Sequence, residues 1–386
     1  METMDNMRRL LLLLACFAAA CAPTKHSAPR SLDLLLDDPA SLANPATLPL
    51  AQGQTSTVFR GQENISGFNL HSYIAHHDGK FWAIWSSAGV GEEDPDQFVR
   101  YATSDDGHTW SESATLVSDP DGPNGPGRWI ARGIYVSAGK LNALAAYVEE
   151  AAYGRRGKGE VWPKLRLMRF EWDGRQWRDA GMFADNCMNN FPPEPLGPAL
   201  AMVCRDSNMD VSMALSESPG EWKYTRIENA PPYDRMDEPT FYATATGEVH
   251  MIIRDNTRSG FLLRALSRDH GRSWTTPVRT NYPDATSKNF PGRLSNGWYY
   301  LINNPDPKKR APLVITFSPD GWTFSKPLAI RRDAPGRRFE GRAKDSGSLQ
   351  YPHAIEHNGF LWVIYSTNKE DIEVTAIPLA SLRLQP

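Results

Sequence analysis

Six glycines in turn contexts recur along the chain, and this repeat constrains the fold more than any other feature of the sequence. Short apolar runs flank these glycines, for example at 74–85, 241–253 and 354–365. The steps between them are about 50 to 60 residues, the size of a four-stranded antiparallel unit. A helical period is not evident in the chain after its first residues, so we predict an all-β fold. The glycines are Gly79, Gly139, Gly197, Gly247, Gly297 and Gly359.

A second motif recurs at a later turn within these units. Residues 103–110 read Thr-Ser-Asp-Asp-Gly-His-Thr-Trp, and residues 267–274 read Ser-Arg-Asp-His-Gly-Arg-Ser-Trp. Asp and Ser/Thr side chains can bond backbone groups and stabilise a hairpin turn, and glycine can take a positive φ. The pattern resembles the Asp-box of sialidase-type β-propellers. Degraded copies follow at 174–177, 216–222 and 318–324.

Together the two repeats predict a six-bladed β-propeller of the sialidase type over residues 53–386. Each blade is expected to contain an inner hairpin at a turn glycine and an outer hairpin closed by the Asp-box. The last blade runs out of chain after the hairpin at Gly359. We therefore expect an N-terminal strand at 56–60 to complete it, because closure of the ring protects the sheet edges.

The first 21 residues predict an exported protein. Two arginines precede an apolar run at 10–20, which is too short to span a bilayer, and small residues stand directly before Cys21. This resembles a bacterial lipoprotein signal with Cys21 lipidated, although Ala18 replaces the usual Leu; an ordinary cleaved signal peptide is the alternative. Either predicts export to the periplasm or cell surface, and in the lipoprotein case the lipid anchor would be the only membrane attachment. Residues 22–52 predict a flexible tether.

Charge and cysteine content narrow the functional classes. The 42 Lys and Arg residues nearly balance the 45 Asp and Glu residues, which argues against nucleic-acid binding. Cys187 and Cys204 could pair in an oxidising compartment, or they could be two buried thiols. His76 and His77 are neighbours on a predicted strand and point to opposite faces, which disfavours joint metal binding. We predict a monomer without a metal or organic cofactor.

The geometry of a propeller blade selects candidate site residues. The first strand begins and the second strand ends at the same rim, where the loop between the second and third strands also lies. Glu238 and Arg254 lie almost symmetrically about Gly247, so the hairpin should place them side by side. Ten residues meet the rim test and should converge on one mouth of the ring. They are His71, Asp94, Asp96, Arg132, Glu238, Arg254, Lys288, Arg310, Tyr351 and His353.

The order of these residues resembles that of sialidases over roughly residues 60–380. Glu238 followed by Arg254 is similar to the stretch in which a glutamate precedes the second substrate arginine. Arg310 lies in a segment that resembles the one with the third arginine, and Tyr351 in one that resembles the segment of the nucleophilic tyrosine. The resemblance implies an exo-acting, retaining glycoside hydrolase. Its two arginines would grip the substrate carboxylate through charge-assisted hydrogen bonds.

The resemblance also implies how the catalytic residues would act. A carboxylate on the anomeric carbon would repel an anionic nucleophile, so neutral Tyr351 would attack and Glu238 would take its proton. Asp94 or Asp96, in the loop after the first hairpin, would protonate the leaving oxygen. The remaining candidates would contact the sugar: His71, Arg132, Lys288 and His353.

One departure from the family leaves the sugar open. Sialidases carry their first carboxylate-binding arginine in the first blade, but residues 69–74 contain no arginine and His71 stands nearest. Arg60 or Arg132 could substitute for it in space. The substrate could therefore be sialic acid, a uronic acid or another nonulosonic acid.

Other functions and purely structural roles stay open as well. A polysaccharide lyase or a His-dependent glycosidase on uronate-containing glycans would use His71 or His353 with Tyr351. A sugar-binding propeller without catalysis is the third possibility, since a fold alone does not imply a function. Glu238 and Arg254 could form only an interstrand ion pair, and Tyr351 could be a core tyrosine.

Overall fold

The computed structural model describes residues 30–384 apart from 93, 119–120, 124, 150–160, 230–231, 233–234 and 342–345. The predicted signal sequence, including Cys21, lies outside the described residues, as do residues 22–29 of the predicted tether. No helix in the described part of the chain is both long and apolar enough to cross a membrane.

The described residues form six antiparallel sheets, which are the blades of a propeller. Blade 1 contains β2 (Phe68–His77), β3 (Lys80–Ala88), β4 (Phe98–Ser104) and β5 (Ala114–Val117). Blade 2 contains β6 (Asp121–Gly122), β7 (Gly125–Ser137), β8 (Lys140–Glu149), β9 (Arg166–Trp172) and β10 (Trp177–Asp185). Blade 3 contains β11 (Met188–Asn189), β12 (Glu194–Leu196), β13 (Ala199–Arg205), β14 (Val211–Ser218) and β15 (Glu221–Arg226).

The second half of the ring follows the same plan. Blade 4 contains β16 (Met236–Ala243), β17 (Val249–Asp255), β18 (Phe261–Ser267) and β19 (Val278–Pro283). Blade 5 contains β20 (Phe290–Arg293), β21 (Tyr299–Asn303), β22 (Leu313–Ser318) and β23 (Ser325–Arg331). Blade 6 contains β24 (Leu349–His357), β25 (Phe360–Thr367), β26 (Asp371–Pro378) and the N-terminal β1 (Gln54–Phe59). Short 3-10 helices are η1 (Pro39–Leu42), η2 (Pro45–Thr47) and η3 (Leu379–Leu382).

The first and last strands of the propeller close the ring. Strand β1 pairs antiparallel with β26, with Ser56 opposite Val374. First strands of neighbouring blades also contact one another: β2 contacts β7 and β24, and β20 contacts β16 and β24. The predicted closure by an N-terminal strand is therefore confirmed, and it removes a free edge from blade 6.

Both sequence repeats are turns of the predicted kind. The six repeated glycines all have a positive φ, and each lies between two consecutive strands that pair with each other. In the second Asp-box, Asp269 accepts the backbone N–H of Ser273 at 2.8 Å. In the first, Asp105 is the residue aligned with Asp269, but Asp106 makes the corresponding bond, to the N–H of Thr109 at 2.7 Å. Backbone hydrogen bonds hold the pKa of Asp106 well below its usual value.

The segment from Leu32 to Leu50 differs from the predicted tether, because it packs against blades 4 and 5. Leu36 forms a parallel bridge with Phe324, and the carbonyl oxygen of Leu32 accepts a 2.7 Å hydrogen bond from Arg264 Nε. The segment packs because its leucines bury apolar area against these blades. Composition alone cannot show which surface such residues cover. Four leucines are buried here: Leu35, Leu36, Leu42 and Leu48.

Cys187 and Cys204 form a disulfide, with their Cα atoms 5.2 Å apart. The bond joins the residue before β11 to the end of β13, so it links these two strands of blade 3 covalently. Of the two alternatives from the sequence, pairing is the one that the structure contains. Within the described residues, no group of three or more His, Cys, Asp or Glu side chains is placed to hold a metal ion.

Candidate active site

Four first strands carry a β-bulge at a similar distance before their turn glycine. The pairing register shifts directly after Leu70, Ala131, Asp237 and Gln350. A bulge adds a residue to one strand and re-aims side chains, and bulges are common beside active sites. The residue directly after each of these four positions is one of the predicted site residues. These are His71, Arg132, Glu238 and Tyr351.

The bulges hold three of these residues in the left-handed backbone region. His71 has a φ of 55°, Glu238 of 40° and Tyr351 of 58°. Positive φ is uncommon for residues other than glycine, and such strain is concentrated at functional sites. Pro239 and Pro352 follow directly, and proline fits a bulge because it has no N–H to offer the ladder.

Arg254 connects the two central residues of the site. Its Nη1 donates to Glu238 Oε2 at 2.6 Å and to the Tyr351 hydroxyl at 3.3 Å. The hairpin about Gly247 thus places Glu238 and Arg254 side by side, as its symmetry predicts. Glu238 is 4% exposed and Tyr351 is 5% exposed, so the set is shielded from bulk water and its interactions are strong.

At neutral pH, electrostatic interactions keep Tyr351 protonated and Glu238 deprotonated. Burial and the negative charge of Glu238 raise the pKa of Tyr351 well above its usual value, against the effect of Arg254. Burial also raises the pKa of Glu238, but Arg254, Arg205 and a hydrogen bond with Tyr351 lower that pKa by more, to about 2. A neutral phenol therefore faces an ionised carboxylate.

His71 borders this pair as a neutral imidazole. Its ring lies edge-on to that of Tyr351, with centroids 5.3 Å apart, and its Nδ1 is 3.1 Å from the hydroxyl of Ser86. Burial lowers the pKa of His71 well below its usual value, and the charges of Arg132 and Lys288 lower it further. At the position where a sialidase would have an arginine, this chain has an uncharged side chain.

Arg132 and Lys288 lie on either side of a buried tyrosine, Tyr73. Lys288 Nζ donates to the Tyr73 hydroxyl at 2.9 Å and to the Asn190 carbonyl oxygen at 2.8 Å. Arg132 also hydrogen-bonds Tyr73, and its charge acts on Glu238. We call these residues and the set around Tyr351 the central cluster: Tyr351, Glu238, Arg254, His71, Arg132, Lys288 and Tyr73.

Arg310 and His353 lie next to the central cluster in different roles. Arg310 donates to the side chain of Gln350 and, at 3.0 Å, to the carbonyl oxygen of Thr286. The Nδ1 of His353 accepts the backbone N–H of Ile74 at 3.3 Å, and burial lowers the pKa of His353 to about 3. These contacts give His353 a structural role between blades 1 and 6.

The acidic loop after β3 carries both predicted proton donors, in different surroundings. Asp94 Oδ2 accepts the backbone N–H of Gly91 at 2.6 Å, so this carboxylate stabilises its own loop, whereas Asp96 is exposed. Glu92 forms a 2.6 Å ion pair with Lys369. Burial, Glu238 and Glu92 together raise the pKa of Tyr351, so Glu92 acts on the central cluster.

The rim also carries an ion pair that the sequence analysis did not select. Arg205 Nη1 pairs with Asp237 Oδ1, and both side chains are buried. Asp237 Oδ2 also accepts from Asn256 Nδ2 at 2.6 Å. Arg205 ends the β13 strand of blade 3, much as Arg254 lies at the end of β17, so the rim test that selected Arg254 could also have found Arg205.

The fold and the central cluster define a six-bladed β-propeller of the sialidase type. The chain belongs to the BNR repeat-like domain family, whose model matches residues 79–363. No curated protein matches the sequence.

Solved structures share the fold at low sequence identity. A structure titled "Sialidase" has a TM-score of 0.63 and 20% identity over 86% of this chain, which spans only 34% of that protein. The Hadza microbial sialidase Hz136 gives 0.65 and 17%, over 85% of this chain and 69% of the other. A Dyadobacter fermentans protein of unknown function gives 0.62 and 14%, over 84% and 98% of the two chains.

Proposed function

We propose that this protein is an exo-acting, retaining glycoside hydrolase of the sialidase type, which removes a terminal acidic sugar from a glycan. The observation that carries the proposal is the hydrogen-bonded set of Tyr351 and Glu238, each at the bulge of a first strand, with Arg254 on the neighbouring strand β17. A core tyrosine needs neither a left-handed backbone nor a buried carboxylate partner. Both features cost stability, which favours a catalytic role.

The protonation states of the central pair suit nucleophilic attack by tyrosine. As the Tyr351 oxygen forms a bond to the anomeric carbon, its proton passes to Glu238 and the bond to the leaving oxygen breaks. Water then attacks the glycosyl-tyrosine from the same side as the departed aglycone, and its released proton passes to the carboxylate that had protonated the leaving oxygen. The Tyr351 oxygen recovers its proton from Glu238, and the sugar is released with retained configuration.

We propose that Arg254 and Arg310 bind the substrate carboxylate. Both border Tyr351, and Arg254 has an Nη1 hydrogen bond to the nucleophile, so a carboxylate bound to it would hold the anomeric carbon near the tyrosine oxygen. Guanidinium groups suit this task because their donors match the geometry of a carboxylate.

We propose that the leaving oxygen receives its proton from the acidic loop, with Asp96 as the first candidate and Asp94 as the second. Asp96 is exposed, so a leaving aglycone could reach it, whereas Asp94 is engaged in the loop. Asp96→Asn should slow hydrolysis of a substrate with a poor leaving group by about 100-fold. It should slow a nitrophenyl glycoside much less, because that aglycone leaves without protonation.

The cellular setting is also a proposal. We propose that the chain is exported and lipidated at Cys21, so that the propeller acts on glycans in the periplasm or at the cell surface. Mass spectrometry of the mature N-terminus tests this. A diacylated Cys21 supports the anchor, and a mature chain without lipid contradicts it.

Release of the fluorescent aglycone from an aryl α-sialoside tests the activity. The protein should begin at residue 30, so that the packed segment from Leu32 onward is retained. We expect turnover that falls by at least about 1,000-fold in Tyr351→Phe. Tyr224→Phe, which alters an exposed hydroxyl in blade 3, is the matched control and should retain full activity. Equal turnover by Tyr351→Phe would reject the mechanism.

The neutral His71 in the first blade favours a polysaccharide lyase as the second candidate function. A lyase on a uronate-containing glycan would use His71 and Tyr351 for proton transfer, and its product would carry a carbon–carbon double bond. Ultraviolet absorbance that grows during digestion, and that is lost in His71→Asn, would establish the lyase. Reducing ends without that absorbance support the hydrolase.

A further inference from the structure

We infer that Arg132 and Lys288 form an anion subsite next to Tyr351, and that this subsite binds the carboxylate of the acidic sugar together with Arg254 and Arg310. The identity of the ligand rests on the proposed function. The existence of the subsite rests on the charges and hydrogen bonds of the chain itself.

The first observation is a buried guanidinium with unmade hydrogen bonds. Arg132 is 3% exposed, and its Nε and Nη1 have no hydrogen-bond partner. Its side-chain hydrogen bond is to the neutral hydroxyl of Tyr73. An ionised group without a counter-ion is expensive to bury, and natural structures seldom keep one unless a ligand completes it.

The second observation is that nearby carboxylates have other cationic partners. Each forms its ion pair with a cation other than Arg132, so the central cluster keeps an excess of positive charge. The pairs are Glu238 with Arg254, Asp237 with Arg205, and Glu92 with Lys369.

The third observation is a second buried cation at the same hydroxyl. Lys288 is 1% exposed, and its Nζ bonds the hydroxyl of Tyr73 and lies 4.0 Å from the ring centroid of Phe191. Burial and the charge of Arg132 lower the pKa of Lys288 well below its usual value. Two cations that repel across one neutral hydroxyl would both gain from an anion, which would also favour the charged form of Lys288.

The position of Arg132 connects the subsite to Tyr351. Strand β7 neighbours β2, whose bulge carries the uncharged His71, so blade 2 supplies the positive charge that blade 1 lacks. The β7 bulge is completed by Gly133, where an added Cβ would lie 2.6 Å from Pro192. One guanidinium fork with one ammonium suits a planar monoanion, and a sugar carboxylate is such a group.

Calorimetric binding of matched acid and ester probes tests the subsite without any turnover. The probes are N-acetylneuraminic acid and D-glucuronic acid, each compared with its methyl ester. We expect the wild type to bind at least one acid about 10-fold or more tightly than its ester, which corresponds to about 1.4 kcal/mol. Arg132→Met should lower that ratio by about 5-fold or more, because the carboxylate loses one charge-assisted partner while Arg254 and Arg310 remain. Arg178→Met, on the outer strand of the same blade, should leave it unchanged.

A stability measurement separates an anion site from a structural arginine. Removing an unpaired buried charge should raise the melting temperature of the free protein and reduce the further rise given by the acid. If Arg132→Met is poorly folded, Arg132→Lys provides the test, because it keeps the charge but loses the fork and should give an intermediate ratio.

Several outcomes would overturn the inference. They are an acid-to-ester ratio that is unaltered in folded Arg132→Met, a melting temperature that falls in that variant, and a wild type that prefers neither acid. These outcomes are distinct from failure of the proposed function. Turnover with an unaltered ratio overturns only the subsite, and a lowered ratio without wild-type turnover overturns only the hydrolase.

Discussion

Glu238 keeps its charge inside the protein because Arg254 and Arg205 surround it with positive charge, and this arrangement makes the pair fragile. Burial alone would favour the neutral acid, yet the pKa of Glu238 is lowered to about 2. The carboxylate is therefore available as a proton acceptor, but its stability depends on its partners.

Loss of Arg254 alone should therefore destabilise the fold more than loss of Arg254 together with the charge of Glu238. Arg254→Met leaves the Glu238 carboxylate without its closest cation and should cost about 3 kcal/mol of unfolding free energy in urea titration. Adding Glu238→Gln should recover most of that loss. A double variant no more stable than Arg254→Met would contradict the account, and Arg178→Met controls for loss of an exposed arginine.

His353 should make the stability of the folded protein depend on pH in the acidic range. Burial lowers the pKa of His353 to about 3, whereas an unfolded histidine has an ordinary pKa of about 6.5. The unfolded state therefore binds a proton first as pH falls, and the stability present above about pH 6.5 is lost toward pH 3, by up to about 1.4 kcal/mol per pH unit.

His353→Asn tests this dependence, because the asparagine oxygen can still accept the N–H of Ile74. The urea midpoint of the wild type should fall from pH 7 to pH 5 by more than that of the variant. Equal slopes in the two proteins would show that His353 does not carry the effect.

Single residues also mark what the sequence could and could not predict. The rim test identified Tyr351, Glu238 and Arg254, since it needs only strand order and turn positions. It could not predict that Arg132 would be buried without a carboxylate. That depends on which acidic residues take other partners, such as Asp237 with Arg205.

At the scale of elements, the bulges of the first strands determine where the site residues lie. Strands and turns follow from local pattern, but a bulge follows from the register between two strands. The register of β16 shifts after Asp237 and that of β24 after Gln350. The proline after Glu238 and the one after Tyr351 were the only local signs of these bulges in the sequence.

The Asp-box turns should stabilise contacts between blades as well as their own hairpins. Gly107 has a φ of 75°, and an added Cβ would lie 2.3 Å from the ring of Trp362 in blade 6. Gly139 has the same φ with nothing within 4 Å of an added Cβ. Gly139→Ala should cost about 1 kcal/mol or slightly more through backbone strain alone.

Gly107→Ala should cost about 3 kcal/mol, since steric overlap with Trp362 adds to the same strain. Urea titration of the two variants measures the difference directly. Equal losses would show that the blade 1 turn does not pack tightly on blade 6.

At the scale of the whole molecule, the N-terminal segment belongs to the propeller. A protein that begins at residue 52 loses the four buried leucines on blades 4 and 5 but keeps β1. It should be less stable by about 3 kcal/mol or more than one that begins at residue 30.

A protein that begins at residue 61 should behave differently, because it also lacks β1. An open blade 6 exposes the edge of β26, so this protein should aggregate rather than merely melt earlier. Size-exclusion chromatography separates the two cases. A monodisperse ring without β1 would contradict the proposed role of closure.

The sequence predicted the whole-molecule architecture well because propeller repeats are local. Each blade gives its own turn signals, and six of them define the ring. The packing of Leu35 and Leu36 could not be foreseen, since a short apolar stretch does not reveal which surface it covers. The residues that bind the sugar carboxylate were only partly evident, since they depend on contacts between blades.

The most direct test of the central claim is to trap the glycosyl-tyrosine intermediate. Wild-type protein that begins at residue 30 would be incubated with a 2,3-difluorinated sialic acid, and its peptides analysed by mass spectrometry. The account predicts that the sugar is covalently attached to Tyr351 and that Tyr351→Phe is unlabelled. A protein that hydrolyses aryl α-sialosides but carries the label on another residue, such as Glu238, would contradict it.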